Sequence, residues 1–187
     1  MPDLLSTALE SDRVILSVVG AHAGESERDI FKRKLEDVNS VGNTFWLYRS
    51  PSARPDLVQS FLSELAFVLF LAPSNKSGAR PTTVSDRVAE LSRDKAHWQP
   101  VPIGISPITG KLPAYAFVFS ELETCSSEMI DLWQYETDLG SSVRFRLGMS
   151  TLLTRHALTL STAPMKSRFR RVFAVGKLVP PHAVWVR

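Results

Sequence analysis

The sequence predicts an α+β fold, in which helices flank a mixed β-sheet. The sheet is expected to be either open or curled into a partial barrel. Three observations lead to this class. The first half alternates β-branched apolar runs with segments of helical periodicity, and the second half is mainly strand-like. The composition, with 44% apolar and 22% charged residues, is that of a folded protein. A chain of 187 residues is long enough to bury its own core, so we expect one domain, residues 1–187.

The first half predicts a βαβαβα order. We expect strands at 13–20, 44–50 and 65–71, and helices at 27–40, from Pro55 onward and at 84–93. The helix at 27–40 has the clearest boundaries. Ser26 and Asp29 have the spacing of a capping box, and Gly42 stands where a helix commonly ends.

The second half predicts mainly β-structure. The segment 98–113 contains four prolines and two glycines in sixteen residues and is expected to be an ordered connector. A strand follows from Tyr115, then a short helix over 126–136 that begins at one of two serines. From Val143 to the last residue the pattern is alternating or β-branched, which predicts three or four strands.

Charge is distributed unevenly along the chain. Residues 1–140 contain 13 basic and 19 acidic residues, a net charge of −6, whereas residues 141–187 contain 9 basic residues and no acidic ones, a net charge of +9. This asymmetry favours either a polyanionic partner or an acidic surface within the same protein.

The basic residues of the last quarter are the candidate phosphate contacts. Side chains alternate along a strand, so Arg144 and Arg146 share one face of their strand, as do Arg168 and Arg170 of theirs. A guanidinium group donates two parallel hydrogen bonds to phosphate oxygens. The candidates are Arg144, Arg146, Arg155, Lys166, Arg168, Arg170 and Arg171. The alternative is that they pair with the acid-rich segments 25–37 or 121–138 and form an ordinary charged surface.

Aromatic residues provide candidates for stacking with nucleobases. Trp98 lies in the proline-rich connector, and Trp46 and Tyr48 lie on a predicted strand. Aromatic rings beside arginines bind unstacked bases in many nucleic-acid-binding proteins. The alternative is that these rings belong to the core or support loops.

No complete catalytic or metal-binding motif is present in the sequence. The four histidines are far apart and there is one cysteine, so we expect no metal site, and the absence of phosphate-binding glycine motifs predicts no nucleotide cofactor. The remaining catalytic hypothesis is metal-independent RNA cleavage with His156 or His22 as the general base.

Three functional hypotheses remain open. The leading one is a non-enzymatic module that binds DNA or RNA through the basic C-terminal region. The second is a ribonuclease or other nucleic-acid-processing enzyme, and the third is an adaptor or homodimer whose basic face meets an acidic partner. The single Cys125 favours a reducing compartment, the N-terminus lacks the pattern of a secretory signal, and no apolar run has the length of a membrane span, so we expect a cytoplasmic protein.

Overall fold

The fold is taken from a computed structural model. The structure describes residues 3–11, 13–19, 25–48, 67–71, 90–101, 115–131, 135–137, 151–155 and 169–187. In chain order the elements are α1 (Leu4–Glu10), β1 (Arg13–Val18), α2 (Glu27–Val41), β2 (Thr44–Tyr48), β3 (Phe67–Leu71), β4 (Glu90–Ser92), β5 (Gln99–Pro100), β6 (Tyr115–Asp131), β7 (Tyr135–Thr137), β8 (Thr151–Arg155) and β9 (Phe169–Val186).

The strands form a mixed sheet, and the predicted α+β class is confirmed. Seven strands follow the order β2-β6-β9-β3-β1-β8-β7, while β4 pairs with β9 and β5 pairs with β4. Strands β1 and β3 are parallel, and β1 is antiparallel to β8. Within the described strands the order runs from β2 to β7 without closing, so the sheet is not a barrel.

Helix α2 begins and ends where its sequence predicts. The Ser26 hydroxyl accepts a hydrogen bond from the Asp29 amide at 3.2 Å, and the Asp29 carboxylate accepts one from the Ser26 amide. These two bonds form a capping box that satisfies amide groups left open in the first turn. At the other end Gly42 has φ +85° and its amide donates to the Val38 carbonyl, which is the left-handed conformation that favours glycine.

Two compact units make up the chain. The first consists of Met1–Val19, Ala66–Lys76 and Glu123–Gly176, and the second consists of Gly20–Leu65, Ser77–Leu122 and Lys177–Arg187. The prediction of a single domain stays a prediction.

The core of the first unit is built on the parallel pair β1 and β3. All five side chains of β3 are buried, as expected of a strand covered on both faces. Helix α1 adds Leu5 and Ala8 to this core, and β9 adds Val172 and Val175. The Leu4 amide at the start of α1 donates to the Glu123 carboxylate at 3.0 Å.

The core of the second unit is formed by side chains of β2, β6 and β9. Its buried members are Phe45, Ala116, Val118, Val184 and Val186, with Leu91 and Val101 packed against them. Strand β2 is antiparallel to β6. Helix α2 packs on β2, where the rings of Phe31 and Trp46 lie 5.1 Å apart.

Several strands agree with the prediction, and two predicted helices do not. Strands lie within 13–20, 44–50 and 65–71, and a strand begins at Tyr115. The helix predicted at 84–93 is wrong where the structure describes it, because Glu90–Ser92 is strand β4. The helix predicted at 126–136 is also wrong, because β6 continues to Asp131 and Tyr135 begins β7. Pairing with the distant strand β9 overrides a weak helical pattern at β4, and pairing with β8 does so at β7.

The remaining elements are α1, the C-terminal strands and two segments around prolines. Helix α1 was not predicted. The predicted C-terminal strands are represented by β8 and by the single long strand β9. The helix predicted from Pro55, and most of the proline-rich connector, lie outside the described residues.

Candidate functional site

Two tryptophans lie on one face of the second unit, on either side of Ser92. Trp185 of β9 is directly opposite Ser92 of β4, and Gln99 of β5 is opposite Leu91. Trp98, one residue before Gln99, therefore comes level with Ser92 on the other side. Residues opposite each other on antiparallel strands point to the same face of the sheet. The neighbouring positions Val184 and Val186 are buried, so the two indoles lie on the outer face, where both are partly exposed.

Each of these indoles is covered by a cation. The Lys95 ammonium lies 3.6 Å from the centroid of the Trp185 ring, and the Arg187 guanidinium carbon lies 4.0 Å from the centroid of the Trp98 ring. Both distances are within the range of a cation–π interaction. We call Trp98, Trp185, Lys95 and Arg187 the aromatic–cation face.

A carboxylate holds the guanidinium of this face in place. Arg187 Nε donates to Glu90 Oε2 at 2.7 Å, and the two backbones exchange a pair of hydrogen bonds of 3.1 Å. The side chain of Arg187 remains 53% exposed. Because the bond to Glu90 uses Nε, the guanidinium also carries N–H donors on Nη1 and Nη2 that are suited to an anion.

The turn that joins β4 to β5 is organised by Ser92 and Asp94. The buried Ser92 hydroxyl accepts the Lys95 amide at 2.9 Å and donates to Asp94 Oδ1 at 3.0 Å. Asp94 Oδ1 also accepts the amides of Ala96 and His97, each at 2.8 Å. Such side-chain bonds to nearby amides stabilise tight turns, and they permit Lys95 its left-handed φ of 64°. At the end of the turn Trp98 Nε1 donates to the Lys95 carbonyl at 3.0 Å.

Asp94 also orients a histidine. Asp94 Oδ2 lies 2.7 Å from His97 Nδ1, and the His97 side chain is 87% exposed. This hydrogen bond raises the pKa of His97 above its usual value, and the bonds from His97 and the turn amides hold the pKa of Asp94 well below its usual range. Because Nδ1 faces the carboxylate, the exposed histidine presents Nε2 to solvent.

Of the basic candidates predicted from sequence, the structure describes the side chain of Arg171. It is exposed and belongs to the first unit. Arg155 ends β8 opposite Tyr135, and Arg170 lies in β9, but their side chains are outside the described part. Arg144, Arg146, Lys166 and Arg168 lie outside the described residues, so the predicted row of arginines stays a prediction.

One basic residue supports the alternative of internal charge pairing. Lys177 of β9 forms an ion pair with Glu121 of β6, inside the acid-rich segment 121–138 that the sequence offered as a partner. This part of the C-terminal basic charge is therefore compensated within the second unit.

The aromatic candidates occupy different places. Trp98 belongs to the aromatic–cation face. Trp46 lies on β2, separated from β4 in the strand order by β6 and β9, and its ring packs on Phe31. Tyr48 ends β2 opposite Tyr115, and its side chain is outside the described part.

The two catalytic candidates, His156 and His22, lie outside the described residues. Within the described part of the chain, no group of three His, Cys, Asp or Glu side chains is arranged to hold a metal ion.

Sequence reasoning missed most of the aromatic–cation face. It selected Trp98 but not Trp185, Lys95, Arg187 or the histidine next to Trp98. A local signal was present for the turn, since a serine and an aspartate two residues apart commonly cap their own backbone. No local signal brings residue 187 to residue 90, because that pairing is formed between distant strands.

Comparison with known proteins gives no relative from which a function is transferred. No protein-family model, curated protein or solved structure matches this chain. Neither helix that the structure describes combines the length and the apolar character required to cross a bilayer.

Proposed function

We propose that this protein is a nucleic-acid-binding module that engages single strands through the aromatic–cation face. The observation that carries the proposal is the stacking of Arg187 on the partly exposed Trp98, next to the equivalent pair formed by Lys95 and Trp185. Unpaired bases stack on guanidinium planes as well as on indole rings, so a base can extend the stack of Arg187 on Trp98 while Lys95 contacts a neighbouring phosphate.

Local charge supports this assignment. At the face, Lys95 and Arg187 are exposed cations, and Glu90 and Asp94 are the nearby carboxylates. The Asp94 carboxylate is already engaged by the turn amides and by His97. Attraction of a polyanion then depends on the exposed ammonium of Lys95 and the exposed guanidinium of Arg187, whose contacts with phosphates make binding salt-dependent.

Structural rigidity also favours binding. Trp185 lies on β9 and Trp98 directly precedes β5, and both of these strands pair with β4. The turn from β4 to Trp98 is held by side-chain hydrogen bonds. A preorganised surface loses less conformational entropy when a ligand binds. The chain's excess of basic residues after position 140 adds a longer-range attraction for the same ligand.

The test is fluorescence anisotropy with labelled single-stranded and double-stranded DNA and RNA, at two salt concentrations. We expect single strands to bind and the affinity to fall steeply as salt rises. Trp98→Ala and Arg187→Ala should each weaken binding roughly tenfold, the cost of one stacked base. The matched control is Trp46→Phe. Trp46 belongs to the same unit, but its ring packs on Phe31 of α2 and not on the aromatic–cation face, so binding should be unchanged.

Two outcomes would contradict the proposal. If the wild-type protein bound none of the four polymers, an acidic protein partner would become the better assignment for the basic residues. If Trp46→Phe weakened binding as much as Trp98→Ala, the aromatic–cation face would not be the binding site.

A second candidate function is metal-independent cleavage of RNA, with His97 rather than His156 or His22 in the catalytic role. The specific observation is the Asp94–His97 pair, in which a carboxylate orients an imidazole whose other nitrogen faces solvent. Oriented histidines of this kind transfer protons in catalysis. The test is incubation of single-stranded RNA with the wild type and His97→Ala in the presence of a chelator. RNA that stays intact with the wild type excludes this candidate and leaves the binding proposal unchanged.

A further inference from the structure

Away from the aromatic–cation face, three polar side chains are buried together between α2 and β2. Lys34 and Asp37 lie one turn apart on α2, and Thr44 is the first residue of β2. Their exposed fractions are 5%, 3% and 1%. Buried charged residues are uncommon, and a lysine in such a place is unusual.

The contacts inside this cluster are unequal. The Thr44 hydroxyl donates to Asp37 Oδ2 at 3.0 Å, which fixes the carboxylate. Lys34 Nζ lies 3.9 Å from the same oxygen, beyond the range of a hydrogen bond. The carboxylate therefore attracts the amine without binding it directly, and the amine loses its hydration without gaining a short bond from Asp37.

Physical chemistry predicts that this buried amine gives up its proton more readily than an ordinary lysine does. Burial lowers the pKa of Lys34 to about 8, the neighbouring charge of Arg33 acts in the same direction, and Asp37 and Glu25 act against it. A neutral amine has a lone pair and is a nucleophile, which is how enzymes use buried lysines.

We propose that Lys34 is a nucleophilic amine that forms an imine with a small aldehyde, with Asp37 as its proton-transfer partner. Attack of the lone pair on the carbonyl carbon forms the C–N bond and leaves an alkoxide. A proton passes from the nitrogen to that oxygen through Asp37 and gives a carbinolamine. Loss of the hydroxyl group together with the second proton of the nitrogen releases water and forms the C=N bond.

Lys32 provides an internal control, because it lies on the same helix and is exposed. The folded protein is treated with glycolaldehyde and cyanoborohydride, which reduces an imine to a stable amine, and the adducts are counted by peptide mass spectrometry. At pH 7.5 we expect Lys34 to be labelled roughly tenfold faster than Lys32, because the lowered pKa of Lys34 leaves a larger fraction of its amine neutral than in an ordinary lysine. Labelling of the two lysines should become equal in denaturant.

The pH profile separates nucleophilicity from mere access. The labelling rate of Lys34 should level off just above pH 8, whereas that of a lysine model peptide in the same reaction should keep rising toward the ordinary lysine pKa of about 10.4. Above about pH 9, where the Lys34 amine is mostly neutral with or without the Asp37 charge, Asp37→Asn should slow labelling at Lys34 and leave Lys32 unchanged. If Asp37→Asn fails to fold, Thr44→Val is the second variant. It removes the hydrogen bond that fixes the Asp37 carboxylate and should also slow labelling at Lys34.

Two results would overturn the proposal. One is a folded protein in which Lys32 is labelled and Lys34 is not. The other is a pair of pH profiles that rise in parallel, because Lys34 would then behave as an ordinary lysine. The proposal is independent of nucleic-acid binding, and Lys34→Arg should abolish the adduct at this position without changing the anisotropy measurements.

Discussion

Glu90 Oε2 lies 2.7 Å from Nε of Arg187, the same guanidinium that covers the ring of Trp98. Arg187 therefore already has an anionic partner on the aromatic–cation face. A phosphate that approaches Arg187 meets the negative charge of this carboxylate. Glu90 both positions the arginine and opposes the binding of a second anion.

Replacing Glu90 with glutamine should strengthen binding of single-stranded nucleic acid. The amide keeps the shape and a hydrogen-bond acceptor but removes the negative charge. We expect a severalfold gain in affinity, measured by anisotropy, and a change in unfolding free energy below about 1 kcal/mol because the pair is exposed. The control is Glu121→Gln, which releases Lys177 in the same unit. An equal gain in both variants would indicate a general charge effect rather than a role of Glu90 at the face.

Lys34 should make stability rise with pH in the alkaline range. Its pKa is lowered to about 8 from 10.5, so between these values the unfolded chain holds a proton that the folded chain has released. Stability then increases as pH rises, by up to about 3 kcal/mol at the upper end. The measurement is urea unfolding of the wild type and Lys34→Met from pH 7 to 10.5. A difference between the two proteins that did not change with pH would rule out the lowered pKa.

His182 should make the protein less stable in mild acid. The side chain is 4% exposed and, among the described residues, Nδ1 has no hydrogen-bond partner; burial lowers the pKa of this histidine. As the pH drops below 6.5, the unfolded state takes up a proton before the folded state does. The free energy of unfolding therefore decreases as the pH decreases, by at most about 1.4 kcal/mol per pH unit.

The matched variant for this test is His182→Asn. The backbone here has φ 63°, a conformation that asparagine adopts more readily than most residues. We expect thermal unfolding of the wild type to lose more stability between pH 7 and pH 5 than that of the variant. Parallel losses would show that other groups cause the acid sensitivity.

Gly42 should be required for its backbone conformation rather than for space. Its φ is +85°, and a Cβ atom placed there would meet nothing within 4 Å. Gly42→Ala should therefore cost about 1 kcal/mol through backbone strain alone, and Gly42→Asn should cost less. Urea unfolding at neutral pH measures both. An alanine variant as stable as the wild type would show that the end of α2 rearranges without cost.

The extent to which sequence predicts this protein depends on the range of the interactions. Helix α2 was predicted almost to the residue, because Ser26, Asp29 and Gly42 act within one turn of its ends. Strand β4 was predicted as helix because its structure comes from pairing with β9, almost a hundred residues away. Periodicity carries no information about a partner at that distance.

The candidate site follows the same rule. The residues next to Trp98 in the sequence are enough to predict it as a stacking candidate. Its proposed role in binding depends on Arg187, which the pairing of β4 with β9 brings over the ring. No local signal marks Lys34 as buried, since a lysine on a charged amphipathic helix is normally solvated. Its environment is created by Thr44 and the packing of α2 on β2.

The second unit is assembled from three separate stretches of chain, and Lys177–Arg187 is the last of them. Protein synthesis delivers these stretches in order. A nascent chain that has been made as far as Gly176 already contains Trp98, Lys95 and the turn around them, but not Trp185 or Arg187. The aromatic–cation face therefore forms only after Lys177–Arg187 has been synthesised, and a product that stopped at Gly176 would contain the whole of the first unit but lack this face.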